Sequence, residues 1–182
     1  LSVGEFRDRF LNAVPRTQDA KEVNLVNISG TDFTAGSNVD WRGSTIVTPV
    51  KDQGYCGSCW AFSATEQIET NVAMSTGKLL TLAPQQIVSC DTTSYGCSGG
   101  WTENAYDYVL GAGGIEAESS YPYTSGTAGV TGTCSSSSSS FVTTISGYST
   151  ISSRASQESQ MVTQIATSPM SICVDAETWS SY

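Results

Sequence analysis

Gln53-Gly54-Tyr55-Cys56-Gly57-Ser58-Cys59-Trp60 runs directly into Ala61-Phe62-Ser63-Ala64-Thr65-Glu66-Gln67-Ile68-Glu69-Thr70-Asn71-Val72-Ala73-Met74-Ser75. In the second stretch Ala61, Ala64, Ile68 and Val72 recur three or four residues apart, so they share one face of a helix. Ser58 reads as its N-cap and Gly77 as its stop. Cys59 then falls in the first helical turn. A thiolate there meets unsatisfied backbone N–H groups and the positive end of the helix dipole. With a cationic neighbour, such placement lowers a thiol pKa from about 8.5 to roughly 3.5–7.5. The glycines of the first stretch let backbone approach a bound peptide. The Gln53 side-chain amide is a donor suited to a developing oxyanion.

Cys56 and Cys59 also have C-x-x-C spacing, which raises zinc and thiol-redox readings. The chain has no histidine and only one such pair among six cysteines, which disfavours zinc. The βαβ context of a thioredoxin-like motif is missing. No metal or cofactor is expected. Six cysteines in a chain of this size point instead to an oxidising compartment with disulfides. Which cysteines pair stays open at this level.

Composition narrows the class. The 182 residues suffice for one domain or two small lobes, and 38% hydrophobic with 14% charged residues is globular rather than disordered. A net charge of −9 without a Lys/Arg run excludes the footprint of a nucleic-acid binder and gives little attraction for anionic membranes. No apolar run reaches the length of a membrane span.

Residues 1–38 differ from the rest. Leu1 to Asn12 reads as a short amphipathic helix with Phe6, Phe10 and Leu11 on one side. A polar stretch follows, broken by the apolar run Val23 to Ile28, with Asn27-Ile28-Ser29 a glycosylation sequon if the chain is secreted. Denser sequence starts at Val39-Asp40-Trp41-Arg42. Further helices are expected over Leu82 to Ser89, with Pro84 in the first turn, over Glu103 to Leu110, and over Gln157 to Ala166. Gly114 to Ser140 reads as loop, including a six-serine run taken as a surface loop rather than a site. Phe141 to Ile145 and Met170 to Val174 have strand composition. Helices first and strands later imply an α+β protein.

The segment from Gln53 to Trp60 resembles the active-site signature of the papain and cathepsin family of cysteine proteases, matching Q-G-x-C-G-S-C-W at its seven specified positions. Val39-Asp40-Trp41-Arg42 looks like the start of the family's mature enzyme, Gly96-Cys97-Ser98-Gly99-Gly100-Trp101 like its G-C-x-G-G segment, and Ser120-Tyr121-Pro122-Tyr123 like a further hallmark. Ser168-Pro169-Met170-Ser171-Ile172 resembles the strand lining its main specificity pocket. The resemblance implies a two-lobe α+β fold, with the helical left lobe nearly complete over about 48–148 and the β-barrel right lobe truncated over about 149–182. It makes residues 1–38 the end of an inhibitory propeptide and 39–182 the peptidase domain. It pairs Cys56 with Cys97 and Cys90 with Cys134. It makes Cys59 the nucleophile and Gln53 part of the oxyanion hole, and it puts Gly57, Ser58, Trp60, Gly99 and Gly100 at the substrate. Trp101, Thr102 and Cys173 match positions of the pocket for the residue two before the scissile bond, which implies a hydrophobic preference there. The implied partners are a peptide or protein substrate, the chain's own propeptide and cystatin-type inhibitors. The implied setting is lysosomal, vacuolar or extracellular, and the implied state a monomer. Glu69 matches a buried structural glutamate. Pro84, Gln86 and Ser89 depart from acidic positions of the family, a change expected to touch helix and surface rather than chemistry.

A thiol nucleophile needs a base, and in this family a histidine supplies it, roughly 130–150 residues after the cysteine. Fewer residues than that follow Cys59, and the chain holds no histidine. The expectation is a fragment that carries the nucleophile but no base, and hence no turnover by these 182 residues. Two other readings remain. One is a non-catalytic homologue that binds peptides or protease partners. The other is a disulfide-stapled structural module, which leaves Gln53 and Cys59 unexplained.

Overall fold

The computed structural model describes residues 2–10, 38–153, 157–176 and 179. The sequon and the apolar run at 23–28 lie outside them. Helix α1 spans Val3–Phe10. It begins in a capping box, in which the Glu5 backbone N–H donates to Ser2 Oγ (3.2 Å) and the Ser2 N–H to Glu5 Oε2 (2.8 Å).

Helix α2, Cys59–Thr76, is the axis of the fold. Ala61, Ala64 and Ile68 are buried and Val72 is partly buried, so the face marked by their spacing is the face that meets the core. Gly77 closes the helix in the left-handed conformation (φ 72°), its N–H donating to the Ala73 carbonyl. Helices α3, Pro84–Cys90, and α4, Thr102–Ala112, pack on α2 and on each other. Leu82, Ile87, Val88, Ala105, Val109 and Ile115 fill the space between them. The small side chains of Ala61, Ala64 and Ala105 leave room for this packing. A short helix α5, Ser125–Ala128, follows, and α6 spans Glu158–Ile165.

The sheet is small. Strands β1, Ile115–Glu116, and β2, Phe141–Thr143, pair antiparallel with an irregularity between Ile115 and Glu116. Thus 114–140 is more structured than a loop. It holds β1 and α5, and a 3₁₀ turn at Ser138–Ser140. The serine run is exposed for the most part, but its backbone is anchored. The Ser137 N–H donates to buried Glu116 Oε1 (2.9 Å) and the Ser135 N–H to Tyr121 Oη (3.0 Å).

Two expectations are corrected. Met170 to Val174 forms no strand. Composition supplies a strand's side chains, but a strand also needs a hydrogen-bonding neighbour, and none pairs with it among the described residues. The segment is tied to α2 instead. Second, of the three departures in α3, Pro84 and Gln86 are buried and Ser89 is half-buried. Gln86 is wholly buried and fully used: its Oε1 accepts from the Glu116 N–H (2.7 Å), and its Nε2 donates to Tyr108 Oη (3.1 Å) and the Gly114 carbonyl (3.2 Å). Gln85 does the same for the turn into α5, accepting from the N–H groups of Thr124 (2.8 Å) and Ser125 (2.9 Å). Buried amides persist because each polar atom finds a partner.

Candidate active site

The site is built where the loop 53–58 enters α2. Disulfide Cys56–Cys97 pins this loop to the segment 96–100. The Gly57 N–H donates to the Cys97 carbonyl (2.9 Å), and Trp60 Nε1 to the Gly96 carbonyl (3.3 Å). Gly100 lies against the Trp60 ring so closely that a Cβ there would sit 2.6 Å from ring carbons, which excludes any side chain. A second disulfide, Cys90–Cys134, ties the end of α3 to the loop after α5.

Ser58 stands at the N-cap position, but its hydroxyl makes no capping bond. It is shared with Tyr123 Oη (2.7 Å), and Tyr123 Oη in turn donates to the Gln53 carbonyl (2.8 Å). The Tyr123 ring meets Phe62 edge-on at 4.7 Å. Tyr123 thus braces both ends of the loop, a role that the sequence reading missed. The available signal was a tyrosine in a Tyr-Pro-Tyr turn, whose hydroxyl needs a partner once buried. Gln53 Nε2 donates to the Cys56 carbonyl (2.9 Å), which fixes the amide beside the start of α2.

The Cys59 thiol is exposed at the first position of α2. The protein mass around it pushes its pKa above the ordinary cysteine value, the backbone N–H groups of Trp60 and Cys59 pull it down, and Cys173 pushes it up. The helix-end effect is therefore present with the sign read from sequence, but desolvation outweighs it. Among the described residues no cation is a main influence on the pKa.

The other candidate residues divide. Gly57, Ser58, Trp60, Gly99 and Gly100 are buried, and Trp60 is part of the core. Trp101, Thr102 and Cys173 come together on the wall of a groove of about 1050 Å³ between α2, α4 and the segments 147–153 and 158–173. Cys59 and Gln53 are not on its lining. Tyr106 stands in the groove wall, and burial pushes its pKa up to about 12, so it remains a neutral hydroxyl bonded to Ser171 Oγ (3.0 Å). Among the described residues no group of three or more His, Cys, Asp or Glu side chains is placed to hold a metal ion, and no helix is long and apolar enough to cross a membrane.

Helix α2 thus opens on an exposed cysteine, and the Gln53 amide is fixed in the loop that leads into it. Residues 35–182 match the family model of papain family cysteine proteases, and the chain belongs to that family. Digestive cysteine proteinase 1 of Homarus americanus is 44% identical over 97% of this chain and 55% of its own length. Zingipain-1 of Zingiber officinale is 40% identical over 76% of this chain and 60% of its own. Among solved structures, a recombinant stem bromelain precursor superposes with a TM-score of 0.82 at 28% identity, covering 100% of this chain and 56% of that one. The digestive procathepsin L2 proteinase of Tenebrio molitor larval midgut gives 0.76 at 29% identity, over 90% of this chain and 52% of that one. The fold is thus the papain-like α+β fold. The chain spans about half the length of the relatives it matches.

Proposed function

We propose that Cys59 is the nucleophile of a cysteine endopeptidase that cleaves peptide bonds through an acyl-enzyme. The observation that carries this reading is the exposed Cys59 thiol at the start of α2, with the Gln53 amide fixed by the Cys56 carbonyl. Attack of the thiolate on a peptide carbonyl puts negative charge on the carbonyl oxygen. The Gln53 amide and the Cys59 backbone N–H are the donors that stabilise it. Trp101, Thr102 and Cys173, on one groove wall, receive a hydrophobic residue two before the scissile bond. Residues 1–38 act as the end of a propeptide and 39–182 as peptidase domain. Membership of a family whose solved relatives include a precursor and a proenzyme supports that division. The setting that suits such an enzyme, with its two disulfides, is lysosomal, vacuolar or extracellular.

The 182-residue chain does not turn over amides, because no histidine is present to deprotonate Cys59 and protonate the leaving amine. An activated peptidyl ester removes the second requirement, since its leaving group departs without a proton. Incubating the chain with the p-nitrophenyl ester of a peptide bearing leucine before its last residue should place one acyl group on Cys59, located by peptide mass mapping. The Cys59→Ala chain should take up none. An acyl group on another residue, or amide hydrolysis that survives Cys59→Ala, would contradict the assignment.

A further inference from the structure

The segment after α6 lies along α2 in a definite register. Gln67 Nε2 donates to the Pro169 carbonyl (2.9 Å), and Ser171 Oγ donates to the Ser63 carbonyl (2.9 Å). While the segment advances two residues, its partner on α2 moves back four. The pitches agree, because four helical residues rise about 6 Å and two extended residues about 6.6 Å. The next step of the same register sets Cys173 opposite Cys59. Residues 59, 63 and 67 share one helix face. Cys173 is also felt at Cys59, whose pKa it raises. Both thiols are exposed and outside the two disulfides. Ser171 already touches the α2 backbone with its own side chain, so the segment runs within one side chain's length of the helix.

We propose that Cys59 and Cys173 form a redox pair, which a peroxide closes into a reversible disulfide. The Cys59 thiolate attacks one peroxide oxygen and the O–O bond breaks. Cys59 becomes a sulfenic acid, and the released hydroxide takes a proton to leave as water. The Cys173 sulfur then attacks the Cys59 sulfur. The S–O bond breaks, and the hydroxide leaves as a second water with the Cys173 proton. Two thiols and one hydrogen peroxide give one disulfide and two waters. The closed form withholds the Cys59 sulfur from any carbonyl and shields it from irreversible oxidation, and a dithiol reopens it by exchange. The pair needs no peptidase activity, and its test is read in masses and thiols alone.

The test exposes the 182-residue chain, at an alkaline pH where part of Cys59 is thiolate despite its raised pKa, to a small excess of hydrogen peroxide, alkylates the remaining thiols with iodoacetamide, and maps peptides without reduction. The expected result is joint loss of the Cys59 and Cys173 thiols and a cross-linked peptide lighter by two hydrogens. Cys56–Cys97 and Cys90–Cys134 should be intact in the same map. Brief treatment with a mild dithiol should return both thiols. In Cys173→Ser the same exposure should leave Cys59 carrying two or three added oxygens that the dithiol does not remove. The proposal is overturned if Cys59 of the unsubstituted chain gains oxygens while Cys173 still alkylates. Linkage of Cys59 to any other cysteine, or survival of both thiols, would overturn it equally.

Discussion

Replacing Glu69 by alanine should cost about 3–5 kcal/mol of folding stability, the range for removing one partner of a buried charge pair. Glu69 is wholly buried in the middle of α2. Its Oε2 accepts from Lys51 Nζ (2.6 Å) and Thr48 Oγ1 (2.6 Å), and its Oε1 from the Leu82 N–H (2.8 Å). One side chain therefore joins α2 to the strand-like entry of α3 and to the segment just before Gln53. Alanine leaves the Leu82 N–H without this acceptor. It also leaves Lys51, whose ammonium is mostly covered, with the more distant Glu66 carboxylate at 3.8 Å. Glutamine retains an acceptor for Leu82 but removes the charge, so Glu69→Gln should lose less than Glu69→Ala. Urea unfolding of the two variants checks both size and order. Equal losses would mean that the charge, and not the Leu82 contact, dominates.

The double substitution Cys56→Ala/Cys97→Ala should cost about 4 kcal/mol, from the chain entropy released when a loop of this length is opened. The two cysteines are 41 residues apart in sequence. The effect is expected to reach the site as well. The disulfide, the Gly57-to-Cys97 hydrogen bond and the Trp60 ring over Gly100 together hold the loop from Gln53 to Ser58 onto the segment 96–100. With the disulfide gone, the Gly57-to-Cys97 backbone bond and a long indole bond of 3.3 Å still join them. Urea unfolding under non-reducing conditions measures the loss. A cost below about 1 kcal/mol would show that those hydrogen bonds suffice.

The parts legible from sequence were those in which a residue's type alone decides the outcome. The spacing of Ala61, Ala64 and Ile68 marked the buried face of α2, and Gly77 marked its end, because only the backbone and a small apolar surface were at stake. Ser58 was legible as a position but not as a contact, since its hydroxyl finds Tyr123 from far along the chain. Met170 to Val174 was misread because a strand depends on a neighbour that composition does not reveal. Gln86 was misread because polarity usually means surface, and half-buried Ser89 was misread only in part. Here the Gln86 amide is satisfied by Glu116, Tyr108 and Gly114, and Ser89 Oγ donates to the Thr131 carbonyl (2.7 Å). The thiol pKa was legible only in part. The helix end is visible in sequence, but the surrounding desolvation and the nearby Cys173 arise only in three dimensions.

We propose that Cys59 is a nucleophile that no cation among the described residues helps to ionise. The rate at which iodoacetamide alkylates Cys59, followed by mass spectrometry from pH 5 to about 10 where free thiols titrate, tests it directly. The rate tracks the thiolate fraction. The account predicts a midpoint above the ordinary cysteine value of about 8.5. A midpoint within the activated range of roughly 3.5–7.5 would contradict it, because Cys59 would then be ionised by a group other than the ones around it here.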